Sequence, residues 1–132
     1  MAMLEWNNYR QQLTVRIGEI AKLSPDTIKG YQALTAAGHK TNLLGPKTRE
    51  LISLAVAVTL RCDGCITVHA AAAARHGASR EEIAEALGVA TAVNAGAALV
   101  YSARVLDAYE QTTVARYTAD HRSSPRADAA KT

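Results

Sequence analysis

The chain holds only two cysteines, and they stand three apart in Arg61-Cys-Asp-Gly-Cys-Ile-Thr-Val-His69. On helical spacing Cys62, Cys65 and His69 are i, i+3 and i+7, so the three share one stripe. Two thiols and a titratable base on one face are what reversible thiol chemistry requires. A free thiol has a pKa near ~8.5, and the thiolate is the nucleophile. A helix N-terminus at Cys62 and Cys65 would favour the anion through the macrodipole and its free N–H groups. His69, one turn beyond Cys65, is placed to accept a proton. Gly64 between the cysteines is expected to leave the backbone free to turn so that both sulfurs meet. The cycle that follows is general: one thiolate attacks a peroxide oxygen or a disulfide sulfur, and the other cysteine resolves the product as a Cys62–Cys65 disulfide. An external thiol or dithiol reductant then resets the pair.

Two other readings of these residues stay open. Both thiols can be buried small hydrophobes with His69 a satisfied core histidine. Alternatively the three side chains can be metal ligands. A structural zinc site wants four ligands, commonly with a second Cys or His pair. The sequence has no such pair, so a fourth would have to be Glu50, water or another subunit, and no metal or other cofactor is expected. His39, His76 and His121 have no partner spacing of this kind; His76, beside Gly77, suits a helix C-terminus. Tyr101 and Tyr109 are eight apart on one helical face and read as core or interface residues.

The elements that must position this stripe are helices. Period-2 alternation is rare and alanine is frequent, so the expected fold class is all-α. An amphipathic segment runs from about Trp6 to Lys22. Ser24 and Pro25 supply an N-cap and first-turn residue for a second helix that should stop near Gly38. Positions 39–45 then read as a loop. Pro46 opens a third helix to about Arg61, apolar on most sides between Leu51 and Leu60 and expected to be buried. The fourth begins at Cys62 to Gly64 and ends at His76-Gly77, with Gly77 at C′. Ser79-Arg-Glu-Glu82 has capping-box spacing and opens a long helix to about Thr113, with Gly88 and Gly96 as places for a bend or break. The small residues of 89–98 let backbones approach closely, so this stretch should be buried or lie at a subunit contact. After Tyr117 the composition turns to Ser, Pro, Asp, Arg and Lys, giving a helical domain over 1–117 and a polar, disordered tail over 118–132.

Composition bounds the function classes. The 132 residues suit one domain whose core lacks Phe and has a single Trp, and oligomer burial would make it more robust. The net charge of +3 comes mostly from the tail, and no basic stripe interleaved with aromatics points to nucleic acid. The stretch Leu51 to Leu60 is about half of the ~20 residues that span a bilayer, and no signal peptide is evident at the N-terminus. The expected protein is soluble and cytoplasmic, with its cysteines redox-active and not part of a secreted disulfide framework.

The run from Lys47 to Glu85, with Glu50, then Cys62 twelve residues later, then the C-x-x-C and His69 four beyond, resembles the carboxymuconolactone decarboxylase family. It looks most like the AhpD-type alkylhydroperoxidases within it, over roughly 27–111. The resemblance implies an all-α fold built around a helical hairpin and assembled as a trimer or hexamer. It implies peroxidase or disulfide-reductase activity on a small hydroperoxide, with Cys65 the attacking thiolate, Cys62 the resolving one, His69 the proton relay and Glu50 its base or polariser. AhpD-type members carry a second histidine directly before the second cysteine, where this chain has Gly64. The decarboxylase branch generally lacks the paired cysteines. A lyase of that branch and a non-catalytic redox-sensing helical module are the alternatives. Helix arithmetic does not by itself bring Glu50 to His69: about the expected hairpin turn their axial mismatch is of order 8 Å. A first-turn carboxylate facing the helix dipole is the other reading of Glu50.

Overall fold

The computed structural model describes residues 1–123. Five helices follow one another, α1 (Trp6–Leu23), α2 (Pro25–Thr41), α3 (Gly45–Leu60), α4 (Asp63–Arg75) and α5 (Arg80–Ser123), and no strand occurs among the described residues. The all-α expectation holds. The chain divides into two compact units at Val93 and Asn94. The first contains α1 to α4 and the opening turns of α5; the described part of the second is the remainder of α5.

Within the first unit α3 and α4 form an antiparallel hairpin, the most extensive helix pairing of the chain, and α1 packs on α4 and on α2. The buried side chains are small apart from Leu54 of α3: Ala57 of the same helix, Thr67, Ala72 and Ala73 of α4, and Ala90 of α5. Alanine at these contacts lets the helix axes come close without leaving voids. The hairpin turn is tight. Arg61 adopts left-handed backbone, φ 53°, and the Cys62 N–H donates to the Ala57 carbonyl at 3.1 Å, so α3 ends and α4 starts within two residues.

Several helix boundaries depart from expectation. α2 does not stop at Gly38 but continues to Thr41, where Asn42 takes the left-handed cap, φ 47°, and donates its N–H to the Gly38 carbonyl. Asn tolerates that conformation because its short polar side chain bonds locally. Gly38 serves a close approach instead, since a Cβ there would lie 3.0 Å from Arg49 Cδ. Ser24 occupies the N-cap position, but its hydroxyl pairs with Thr27 Oγ1 at 2.8 Å and not with a backbone N–H. The other signals hold. Gly77 has φ 78° after α4, and the Ser79–Glu82 capping box closes reciprocally, Glu82 N–H to Ser79 Oγ at 3.1 Å and Ser79 N–H to Glu82 Oε2 at 2.9 Å. The same carboxylate pairs with Lys47 of α3 at 2.7 Å, which holds its pKa below the usual glutamate value.

α5 is unbroken through Gly88 and Gly96 and extends past Thr113 to Ser123. Residues 118–123 of the expected tail are therefore helical, and the rest of it lies outside the described residues. Burial among the described residues is less than expected for α3, and in the small-residue stretch of α5 it is slight. Of α3's apolar run only Leu54 and Ala57 are buried, while Ile52, Val56, Val58 and Leu60 are exposed, because α2 and α4 cover only part of the helix. In the small-residue stretch of α5 only Ala90 is buried; Val89 and Val93 are exposed. By length and composition alone α5 is apolar enough to cross a bilayer, with most of that window uncovered. The most span-like stretch of the described residues is thus in α5 and not Leu51 to Leu60, with alanine, valine and leucine carrying the hydropathy.

Candidate functional site

The stripe noted in the sequence lies on the first two turns of α4. Cys62 is its N-cap, in extended backbone at φ −97° and ψ 95°, and its sulfur accepts from the Cys65 N–H at 3.1 Å. Free N–H groups at a helix start need acceptors, and here a sulfur provides one. Cys62 and Cys65 form a disulfide, with Cα atoms 5.2 Å apart. The cysteines are thus paired with each other and half-buried, which removes the picture of two inert core thiols. No cluster of three or more His, Cys, Asp or Glu side chains suited to a metal ion occurs among the described residues.

Glu50 reaches the site. Its Oε2 lies 2.7 Å from His69 Nδ1, with the carboxylate side chain 17% exposed and the imidazole 30% exposed. An ionised carboxylate only accepts, so Nδ1 carries the hydrogen and donates it. In the neutral ring this leaves Nε2 as an acceptor, the form needed to take a proton. Glu50 is the sixth residue of α3, beyond the first turn, so the helix-dipole reading of this carboxylate does not apply. The tight turn at Arg61 and the side-chain lengths close the axial mismatch that helix arithmetic left.

Gly64 has a different role from the one expected. It is absent from the positive-φ glycines, so the backbone there asks for no conformational freedom. Leu13 of α1 comes close instead: a Cβ at position 64 would stand 2.9 Å from Leu13 Cδ2, the end of that side chain, which would have to shift to admit it. Sequence reasoning also passed over the residues that seat α1. The Thr67 hydroxyl, buried at 3% residue exposure, donates to the Trp6 carbonyl at 3.1 Å, and Arg10 Nη1 donates to the Thr67 carbonyl at 3.4 Å. The signal that could have found them is the spacing of Trp6, Arg10 and Leu13, i, i+4 and i+7 on one face of α1.

His39, His76 and His121 have other surroundings. His39 Nδ1 faces Arg49 Nη2 at 3.2 Å, His76 is the C-cap of α4, and His121 Nδ1 lies 2.9 Å from the Tyr117 carbonyl. Tyr101 and Tyr109 are exposed on α5.

Several known proteins are similar to this chain in sequence and fold. Residues 25–108 match the family model described as the carboxymuconolactone decarboxylase family. An uncharacterized protein of Haemophilus influenzae is 50% identical over 105 residues, covering 80% of this chain and 93% of its own. A protein of Paracoccus denitrificans, called uncharacterized protein 4 in cox locus, is 33% identical over 90 residues, 68% of this chain and 81% of its own. Among solved structures, the apo form of a carboxymuconolactone decarboxylase family protein from Legionella pneumophila superposes with a TM-score of 0.65 at 34% identity, covering 81% of this chain and 96% of that one.

Proposed function

The chain belongs to the carboxymuconolactone decarboxylase family, and we propose that within it this protein is a thiol-dependent peroxidase or disulfide reductase of the AhpD-like kind. The observation that carries the proposal is the Cys62–Cys65 disulfide on the N-terminus of the helix that also holds His69, with Glu50 bonded to that imidazole.

In the reduced protein the Cys65 thiolate attacks the outer oxygen of a hydroperoxide. The O–O bond breaks, the alkoxide takes a proton relayed by His69, and Cys65 becomes a sulfenic acid. Cys62, stabilised as a thiolate by the Cys65 N–H and the helix dipole, attacks the Cys65 sulfur. Hydroxide leaves and is protonated to water, and the disulfide closes. An external dithiol returns two electrons and two protons, with Cys62 the better leaving group for the same reason that it is a good resolving thiolate. Glu50 is a positioning residue: it fixes the His69 tautomer and stabilises the imidazolium as it forms. This reading puts the protein in the cytoplasm, where dithiol reductants are maintained. It also makes the protein a trimer or hexamer whose copies cover the exposed apolar faces of α3 and α5.

Cumene hydroperoxide turnover, coupled to a dithiol, tests it. Cys65→Ser should abolish turnover, and Cys62→Ser should consume about one equivalent of peroxide and stall. Full activity in both variants overturns the proposal. The His69–Glu50 pair favours one rival, proton abstraction from a lactone, which needs neither cysteine. Lactone turnover that survives in the Cys62→Ser/Cys65→Ser variant would establish that rival.

A further inference from the structure

The N-terminal end of α4 has unlike neighbours on two sides. Gly64 and His69 are five residues apart, which at 3.6 residues per turn is about 140° around the helix. Glu50 of α3 meets His69, and Leu13 of α1 meets Gly64. The disulfide-bearing turn is therefore bordered by the Glu50–His69 pair on the α3 side and by Leu13 on the α1 side. Leu13 is held in register. Thr67 stands one turn beyond Gly64, and its two hydrogen bonds to Trp6 and Arg10 fix the face of α1 on which Leu13 lies. Carbon atoms in ordinary contact stand about 3.5–4.0 Å apart, so the 2.9 Å separation to a Cβ at position 64 means that the end of the Leu13 side chain lies against Gly64 and would have to shift to admit a side chain there.

We propose that Leu13 is a specificity-determining residue of the Cys62–Cys65 centre: its isobutyl group, seated on Gly64 between the two cysteines, closes the α1 side of the pair to bulky thiols and hydroperoxides while small ones still reach sulfur. The proposal rests on the reading of this pair as the redox centre. It also gives Gly64 a positive role.

The test is reduction of the preformed disulfide in the full-length protein by 2-mercaptoethanol, a small monothiol, and by reduced glutathione, a bulky one. Both act by the same exchange. The incoming thiolate bonds to one sulfur of the pair and the other cysteine leaves as a thiolate. A second equivalent then releases the dithiol and the oxidised reagent. Leu13→Ala should raise the glutathione rate roughly three- to ten-fold and the 2-mercaptoethanol rate by less than about two-fold. Leu13→Met, which conserves volume, should keep the wild-type ratio. An unchanged ratio in Leu13→Ala overturns the proposal, including the case in which both rates rise together, the mark of general loosening of α1. If Leu13→Ala is insoluble, Leu13→Val is read in the same way, and an unchanged ratio there is equally decisive. The readout needs no peroxide, so a protein that fails to turn over hydroperoxide sinks the proposed function without touching this result.

Discussion

Glu50 Oε2 and His69 Nδ1 stand 2.7 Å apart although nineteen residues separate them in the chain. The pair bridges the two arms of the α3–α4 hairpin and sets which imidazole nitrogen is free to take a proton. A carboxylate bonded to the far nitrogen of a histidine orients the ring and fixes its tautomer, and at metal-bound histidines losing such a partner typically costs 10–100-fold in affinity or activity.

Glu50→Gln should therefore lower the rate of hydroperoxide reduction by roughly 10–100-fold, while the Cys62–Cys65 disulfide still forms under a strong oxidant such as diamide. Single-turnover kinetics on the reduced protein, set beside thiol counts after diamide, checks both halves. Wild-type kinetics in Glu50→Gln would make the pair structural only.

Glu82 gives the protein an acid-sensitive joint. The Lys47 ammonium beside it, with the Ser79 N–H, lowers its folded pKa below the ordinary value. A depressed carboxylate contributes stability that is complete above the unfolded pKa and is lost as pH falls through the folded one. Urea midpoints should therefore fall as pH drops below about 4.5, and Glu82→Gln should flatten that part of the curve while lowering the plateau at neutral pH. The change in midpoint between neutral and acidic buffer, compared for the two proteins, is the measurement.

Thr67 ties α1 to the hairpin through a buried hydroxyl. Thr67→Val keeps the shape and removes the donor to the Trp6 carbonyl, a loss of about 1 kcal/mol for a neutral hydrogen bond. No residue of α1 is fully buried, so this helix has little else to resist opening. Amide hydrogen exchange over residues 6–23 should speed up, with the α3–α4 hairpin unaffected. Uniform acceleration across the first unit would show that Thr67 supports the whole core instead.

The sequence by itself determined the local facts. The order of five helices followed from their punctuation, the capping box at Ser79 and Glu82 from its spacing, and the place of Cys62, Cys65 and His69 at the start of α4 from the 3.6-residue period. Each depends on residues within one or two turns of each other. Glu50 was legible only through resemblance, because helix arithmetic measures distance along an axis and says nothing of how a tight turn at Arg61 and two long side chains close the gap. The tertiary structure alone decided the meaning of Gly64. Its backbone has no positive φ, and what lies against it is the end of a leucine fifty-one positions earlier in the chain. It also decided that, among the described residues of the first unit, Ile52, Val56, Val58 and Leu60 of α3 and Val89 and Val93 of α5 are exposed, since composition records how much apolar surface a helix carries but not which of its sides meets a neighbour.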